Sequence, residues 1–390
     1  MNKYRWRILI MIVILLANTT LAGCWDNDEL DTISIATGLG VDAAENEEDV
    51  HLILQVGKIK ENSGYESGSS QQENSFWVME TIDKGISSAI NNLDTESTRT
   101  IFLHHNQVII FGKEQAQKGI KKYVDAFSRE HQMRMETWVV VADNMAKDIL
   151  SNAVEQETNS AIGLSKMIET SSRQYESFSV RFIDLISKMM EETTSPIIPI
   201  VRAKPEDQNS KFEITGLAIF KDDKYIGKLD LEKVRGYSWI MDRCKKNSLN
   251  VTTDNGYANM NITNINLKKD PKITEDELLI SIDFKGDINV SEMQGFEGMN
   301  SNEVFSALKK AGERAIKKEI LDCFNYTKEL NGDIYGFGTE ISRKYPKEWE
   351  KMKENWNDLY TELKMEININ LTVRDTGKIV KSLDMEERAE

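Results

Sequence analysis

The chain of 390 residues is long enough for two or three domains, and 64 acidic against 49 basic residues give a formal charge of −15. Phosphate contacts need clustered Lys and Arg, so this balance argues against nucleic acid as a partner. It argues equally against adhesion to anionic lipid through a polybasic patch.

The first seven residues carry Lys3, Arg5 and Arg7, and an apolar run follows from Ile8 to Ala17. About ten apolar residues are half of the roughly 20 that a membrane-crossing helix needs, so the run fits the apolar region of a secretory signal. Leu21-Ala22-Gly23-Cys24 then resembles a bacterial lipobox, cleaved between Gly23 and Cys24 with the thiol joined to diacylglycerol. Two acyl chains at about 0.8 kcal/mol per methylene meet the two-signal requirement for stable anchoring. The expectation is a signal peptide over residues 1–23 and a mature chain from Cys24, lipid-anchored on the outer face of a membrane. Losing residues 1–23 removes three cations and no acid, which takes the charge to −18. Of the remaining cysteines, Cys244 and Cys323 could pair on an exported domain. The preferred reading is two buried, unpaired small hydrophobes.

Thr32 to Asp42 reads as a strand kinked at Gly38 and Gly40, where a bulge or close backbone approach is expected. Val50 to Ile59 is a second strand, residues 61–74 are a polar loop, and Phe76 resumes a strand. Ile82, Ile86, Ile90 and Leu93 keep helical spacing, and Ile101 to Phe111 reads as strand. Helices follow over Lys113 to Phe127, Ser160 to Thr170 and Val180 to Met190, with a short strand at Trp138 to Val141. Strands alternating with helices predict a mixed α/β domain over residues 24–200. Two of the chain's five prolines, Pro196 and Pro199, then mark a boundary.

A strand-rich domain is expected over residues 201–270: a hairpin about Asp222-Asp223, a short helix from Leu231 to Met241, and strands from Val251 to Leu267. The unit 271–390 opens with a strand from Leu278 to Val290. A single long helix follows from Asn302 to Leu330, its apolar residues spaced by three and four throughout. After a turn at Asp333–Gly338, Pro346 sits near the start of a helix that carries Trp349 and Trp356 on one side. Strict alternation from Met365 to Val373 predicts a half-buried antiparallel strand. The fold class expected is α+β, in three mixed domains of sheet and helix.

No His-Glu-x-x-His, Cys-x-x-Cys, Gly-x-Ser-x-Gly or phosphate-loop motif occurs, so neither a metal nor a cofactor is called for, and the chain is read as a non-enzyme. His104-His105, adjacent in an apparent strand, would send their rings to opposite faces and spoil a two-point metal site.

Cys24-Trp25-Asp26 with Ile35-Ala36-Thr37-Gly38-Leu39-Gly40-Val41-Asp42 resembles the mature start of the Ger(x)C family, the C-subunit lipoproteins of spore nutrient germinant receptors. Gly216-Leu217-Ala218-Ile219-Phe220, Gly227-Lys228-Leu229 and Arg235-Gly236-Tyr237 are similar to its central hairpin and helix. Asp333-Ile334-Tyr335-Gly336-Phe337-Gly338, then Tyr345-Pro346-Lys347, Trp349 and Trp356, resemble its C-terminal signature. The resemblance implies a three-domain lipoprotein on the outer surface of the spore inner membrane. It implies two membrane-embedded partner subunits, one of them transporter-like, and no catalytic residues. For Asp333, Tyr335, Gly336, Phe337, Gly338, Pro346, Trp349 and Trp356 two roles are open: packing of the last domain, or a patch for a partner subunit. The competing reading is a lipoprotein that captures a nutrient itself, a class that usually shows two similar lobes about a cleft.

Overall fold

The computed structural model describes residues 4–11, 32–58, 75–152, 157, 159–206, 209–241, 248–274, 277–296 and 298–375. Residues 4–11 form an exposed helix, α1. The lipobox, Cys24, Cys244 and the polar loop 61–74 lie outside the described residues.

The strands fall into two sheets, in keeping with the α+β class. The first is built on β1 (Ile33–Asp42), β2 (Val50–Gly57) and β3 (Phe76–Asp83). β4 (Thr100–Phe102), β5 (Val108–Phe111) and β6 (Trp138–Ala142) continue it, followed by β7 (Ile197–Glu206), β8 (Asn209–Lys221) and β9 (Lys224–Leu229). Its order is β3-β2-β1-β5-β6-β7-β8-β9, with β4 also on β1. The sheet does not end at the proline-rich stretch, because Val141 and Ala142 of β6 pair with Ile200 and Val201 of β7. The second sheet runs β10 (Ser248–Thr253), β11 (Gly256–Ile273), β12 (Leu278–Gly295) and β13 (Lys364–Asp375). β11 passes straight through Lys268-Lys269-Asp270-Pro271. The partner β10 covers only Gly256–Asn261, so Pro271 has no strand on that side, where Lys344 and Tyr345 donate to its carbonyl and its missing N–H costs no ladder hydrogen bond.

Alternation along the strands divides the interior of the first sheet into two cores. Leu52 and Leu54 enter one, beneath α2 (Ile86–Glu96), α4 (Lys121–Arg129) and α7 (Phe182–Met189). Ile53 enters the other, with α5 (Ala146–Ser151) and α6 (Ser160–Ser171), and this core runs on beneath the second sheet. The glycines of β1 face the second core. A Cβ on Gly38 would stand 2.6 Å from Leu150 Cδ2 and one on Gly40 3.0 Å from Ala146 Cβ, and the register slips between Ala36 and Gly38. The kink expected at this point is present, and its cause is the close packing of α5 and α6.

Several local readings change. Ile82 belongs to β3, where it pairs with His51, and α2 starts only after Gly85. The segment 101–111 is two strands separated by a turn that contains His104 and His105. Gly119, at φ +127°, cuts the expected 113–127 helix into α3 (Lys113–Lys118) and α4. The last helix is also cut, into α11 (Pro346–Met352), a 3₁₀ turn and α12 (Trp356–Glu362). β13 pairs with β12 in parallel rather than antiparallel. The connection from β12 climbs through α9 (Ser301–Glu329), α10 (Phe337–Lys344), α11 and α12, and a crossover of that kind returns the chain in the same direction. The 29-residue α9 forms as its apolar spacing predicts. It opens with a reciprocal cap in which Asn300 Oδ1 accepts from Glu303 N–H at 3.1 Å and Glu303 Oε2 from Asn300 N–H at 3.0 Å.

Candidate functional site

The C-terminal signature is a buried junction. Asp333 lies at the mouth of α10, where its carboxylate accepts from Phe337 N–H at 3.1 Å and Gly338 N–H at 2.8 Å. Burial pushes that carboxyl up to about 6, against the pull of the backbone N–H groups around it. Gly336 takes φ +70°, a left-handed conformation that suits glycine. A Cβ on Gly338 would meet Thr193 at 2.7 Å and Trp356 at 2.9 Å. The signature is thereby pressed against the 193–195 segment that leads into β7, and Ser195 N–H donates to Asp333 O at 2.9 Å.

The aromatic rings of the signature are inside the molecule. Tyr335 stacks on Phe337 at 5.0 Å between centroids and lies 5.7 Å from Tyr237 of α8 (Leu231–Met241). Its hydroxyl donates to Sγ of Cys323 at 3.1 Å. Cys323 is a free, fully buried thiol, and burial pushes its pKa up to about 12, so it is chemically quiet. Trp349 and Trp356 meet edge to face at 5.4 Å, and Pro346 occupies the first turn of α11. All four aromatics, with Asp333, Gly336 and Gly338, are buried in the isolated chain.

The other two motifs also lock elements together. In the first, Asp42 Oδ1 and Oδ2 cap α5, accepting from Ala146 and Lys147 N–H at 2.7 and 3.0 Å. Burial holds the Asp42 carboxyl above the usual range even so. In the central motif, Arg235 Nη2 stands 2.6 Å from Glu319 Oε1, and Arg235 Nε and Trp239 Nε1 each donate to Glu319 Oε2 at 2.8 Å. Gly236 lets the two helix backbones touch at that point. Sequence reasoning missed α5, the partner role of Glu319 and the capping by Asp42. An acid closing a strand shortly before a helix was the available signal for the last.

The histidines do not converge. His51 Nε2 lies 3.0 Å from Glu80, while His104 and His105 both approach the ring of Phe102, at 4.6 and 5.9 Å. Because they stand on a turn, the opposite-face geometry expected of a strand does not apply to them. Among the described residues no group of three or more His, Cys, Asp or Glu is placed to hold a metal ion.

An open cleft of about 920 Å³ separates α7 and the 3₁₀ turn Glu176–Phe178 from α8 and the signature. Trp138, Arg181, Ile183 and Glu136 line one side, Tyr237 and Tyr335 the other. Arg181 lies over the Trp138 ring at 5.2 Å. A second space of about 90 Å³, beyond the 191–196 segment, is lined in part by Trp356 and Asn331, whose Nε1 and Oδ1 are buried with no hydrogen-bond partner among the described residues.

Residues 26–203 match the family described as "Spore germination protein N-terminal domain", and residues 215–377 match "Spore germination B3/ GerAC like, C-terminal". The chain is 24% identical to spore germination protein KC of Bacillus subtilis (strain 168), over 95% of this chain and 96% of that one. It is 23% identical to spore germination protein A3 and 20% to B3 of the same organism, over 95% of this chain and 98% of each of them. The crystal structure of the GerBC protein is similar in fold, with a TM-score of 0.57 at 15% identity, covering 89% of this chain and 99% of that one. The protein belongs to the Ger(x)C family of spore germination proteins.

Proposed function

We propose that the protein is the lipid-anchored C subunit of a spore germinant receptor, tethered through Cys24 to the outer face of the spore inner membrane. It acts by contact with two integral-membrane subunits, one transporter-like, and performs no bond chemistry. The observation that carries this reading is the lipobox Leu21-Ala22-Gly23-Cys24 placed directly before a chain that matches spore germination proteins from residue 26 to 377. Among the described residues no helix is long and apolar enough to cross a membrane. In this reading the acyl chains on Cys24 supply the anchor. The polar groups of the family motifs are spent on caps and helix contacts, which supports a structural use for them.

Cys24→Ala is expected to move the protein to the soluble fraction and to abolish nutrient-triggered germination while sporulation proceeds normally. Normal germination with the soluble form would overturn the reading. The cleft of about 920 Å³ favours one other reading, direct capture of a small nutrient. Calorimetry of the mature chain with amino acids, sugars and nucleosides separates the two, since tight binding supports capture.

A further inference from the structure

We infer that the end of the first sheet at which β1 begins is a docking surface for the headgroup layer of a lipid bilayer, an inference that rests on lipidation of Cys24. Nine peptide steps separate Cys24 from Ile33, the first residue of β1. Fully extended they reach at most about 30 Å. β1 itself has ten residues and spans about 33 Å. For its far end, at Asp42, to face the bilayer, the tether would have to lie taut along the entire strand. The near end is where those nine steps join the sheet. Between Trp25 and Asp31 the tether carries Asp26, Asp28, Glu29 and Asp31, so it is repelled by anionic lipid and leaves the contact to the folded end.

Strand pairing identifies what else lies at that end. Ile33 pairs with Thr100 of β4, Ala36 pairs with Val56 of β2, and Val56 pairs with Trp77 of the outermost strand β3. Trp77 is 40% exposed. The loop leading into β6 reaches the same end, where Gln132 Oε1 accepts from Leu103 N–H at 2.9 Å. This loop leaves Met135 38% exposed, and Ile183, whose N–H donates to Met135 O at 3.0 Å, is 43% exposed. Three large apolar side chains, one of them an indole, therefore stand in water where the tether enters the fold. Tryptophan is favoured at a membrane interface because its ring is apolar and its N–H can remain hydrated.

Charge agrees with this placement. Arg99, Arg134 and Arg181 sit on these loops with three of the chain's four histidines, His104, His105 and His131, opposed by Glu96, Glu130 and Glu136. Arg99 and Arg134 have no ion-pair partner among the described residues, whereas Arg181 pairs with Glu136. The two unpaired arginines can approach the phosphates of a headgroup layer.

The test uses the full lipidated chain in vesicles of phosphatidylcholine and phosphatidylglycerol that contain headgroup-nitroxide lipid. Met135→Cys and, separately, Met145→Cys take a thiol-reactive fluorophore in a Cys244→Ser background, Cys323 being buried. Met145, 39% exposed, precedes the helix capped by Asp42 and so reports on the opposite end. A label at 135 is expected to be quenched at least about twofold more than one at 145, as for side chains lying in the headgroup layer. Flotation with the vesicles reads anchoring separately. A chain that floats but shows equal quenching at both positions, or more at 145, overturns the docking surface and leaves the anchor standing. A chain that does not float overturns both.

Discussion

Gly236→Ala is expected to lower the stability of the protein by about 2–3 kcal/mol, although alanine is the better helix former. In an exposed helix this exchange would gain up to about 1 kcal/mol from propensity. At this position the added Cβ would stand 2.2 Å from the carbonyl oxygen of Glu319 and 2.8 Å from Cys323 Cβ, so α8 has to move away from α9. Overpacking of that kind costs about 1–3 kcal/mol in a core. The shift also stretches the contacts of Glu319 with Arg235 and Trp239, where every separation is now between 2.6 and 2.8 Å. Those groups are only partly exposed, so a loosened pair leaves charge facing protein rather than water. Urea unfolding measures the effect, with Gly57→Ala as control, because the nearest atom to a Cβ there is 3.9 Å away. Glu319→Ala combined with Gly236→Ala should cost less than the two separate losses together, since both break the same contact. Equal stability of Gly236→Ala and the unmodified chain would refute the account of this junction.

The same pair of helices shows which parts of the fold are legible in a sequence. α9 is legible because its apolar residues repeat with the helical period along its whole length, and that period does not depend on what lies beneath. The hairpin at Asp222-Asp223 is legible for a similar reason, since the turn and its flanking strands are adjacent in sequence. Glu319 is not legible as the partner of Arg235, because the two are 84 residues apart and nothing local to either predicts the meeting. The direction of β13 is hidden in the same way. Alternation from Met365 to Val373 fixes which face is buried, and that part holds, but parallel or antiparallel pairing depends on the route of the intervening chain. The break at Gly119 follows from a backbone angle that the helical spacing on either side conceals. For the candidate site, residue types alone show aromatics and glycines at Asp333–Gly338, compatible with packing or with an exposed patch. Their burial against the 193–195 segment is a product of tertiary placement.

At Asp333 the larger effect is on pH dependence. Its carboxyl is at about 6 in the folded chain against an ordinary 3.8, so the folded state favours the protonated form. The stability it contributes is complete below about 3.8 and is lost as pH rises through about 6, a change of about 3 kcal/mol across that window. Asp333→Asn cannot ionise and removes this change. Its amide oxygen still accepts from one of the two N–H groups, at Phe337 or Gly338, while its NH₂ faces the other and leaves that donor unpaired at a cost of about 1–3 kcal/mol. The variant is therefore expected to be clearly less stable than the unmodified chain at about pH 4, with the gap closing or reversing by about pH 7. Asp333→Ala strands both donors at every pH, so its deficit should be larger near neutrality than that of the asparagine variant. Denaturant titrations of the three proteins across this range supply the comparison, and the difference between the unmodified chain and Asp333→Asn isolates the one group from all other carboxylates. A difference that stays constant with pH would mean that the Asp333 carboxyl keeps an ordinary pKa, and that the backbone N–H groups of α10 fully offset its burial.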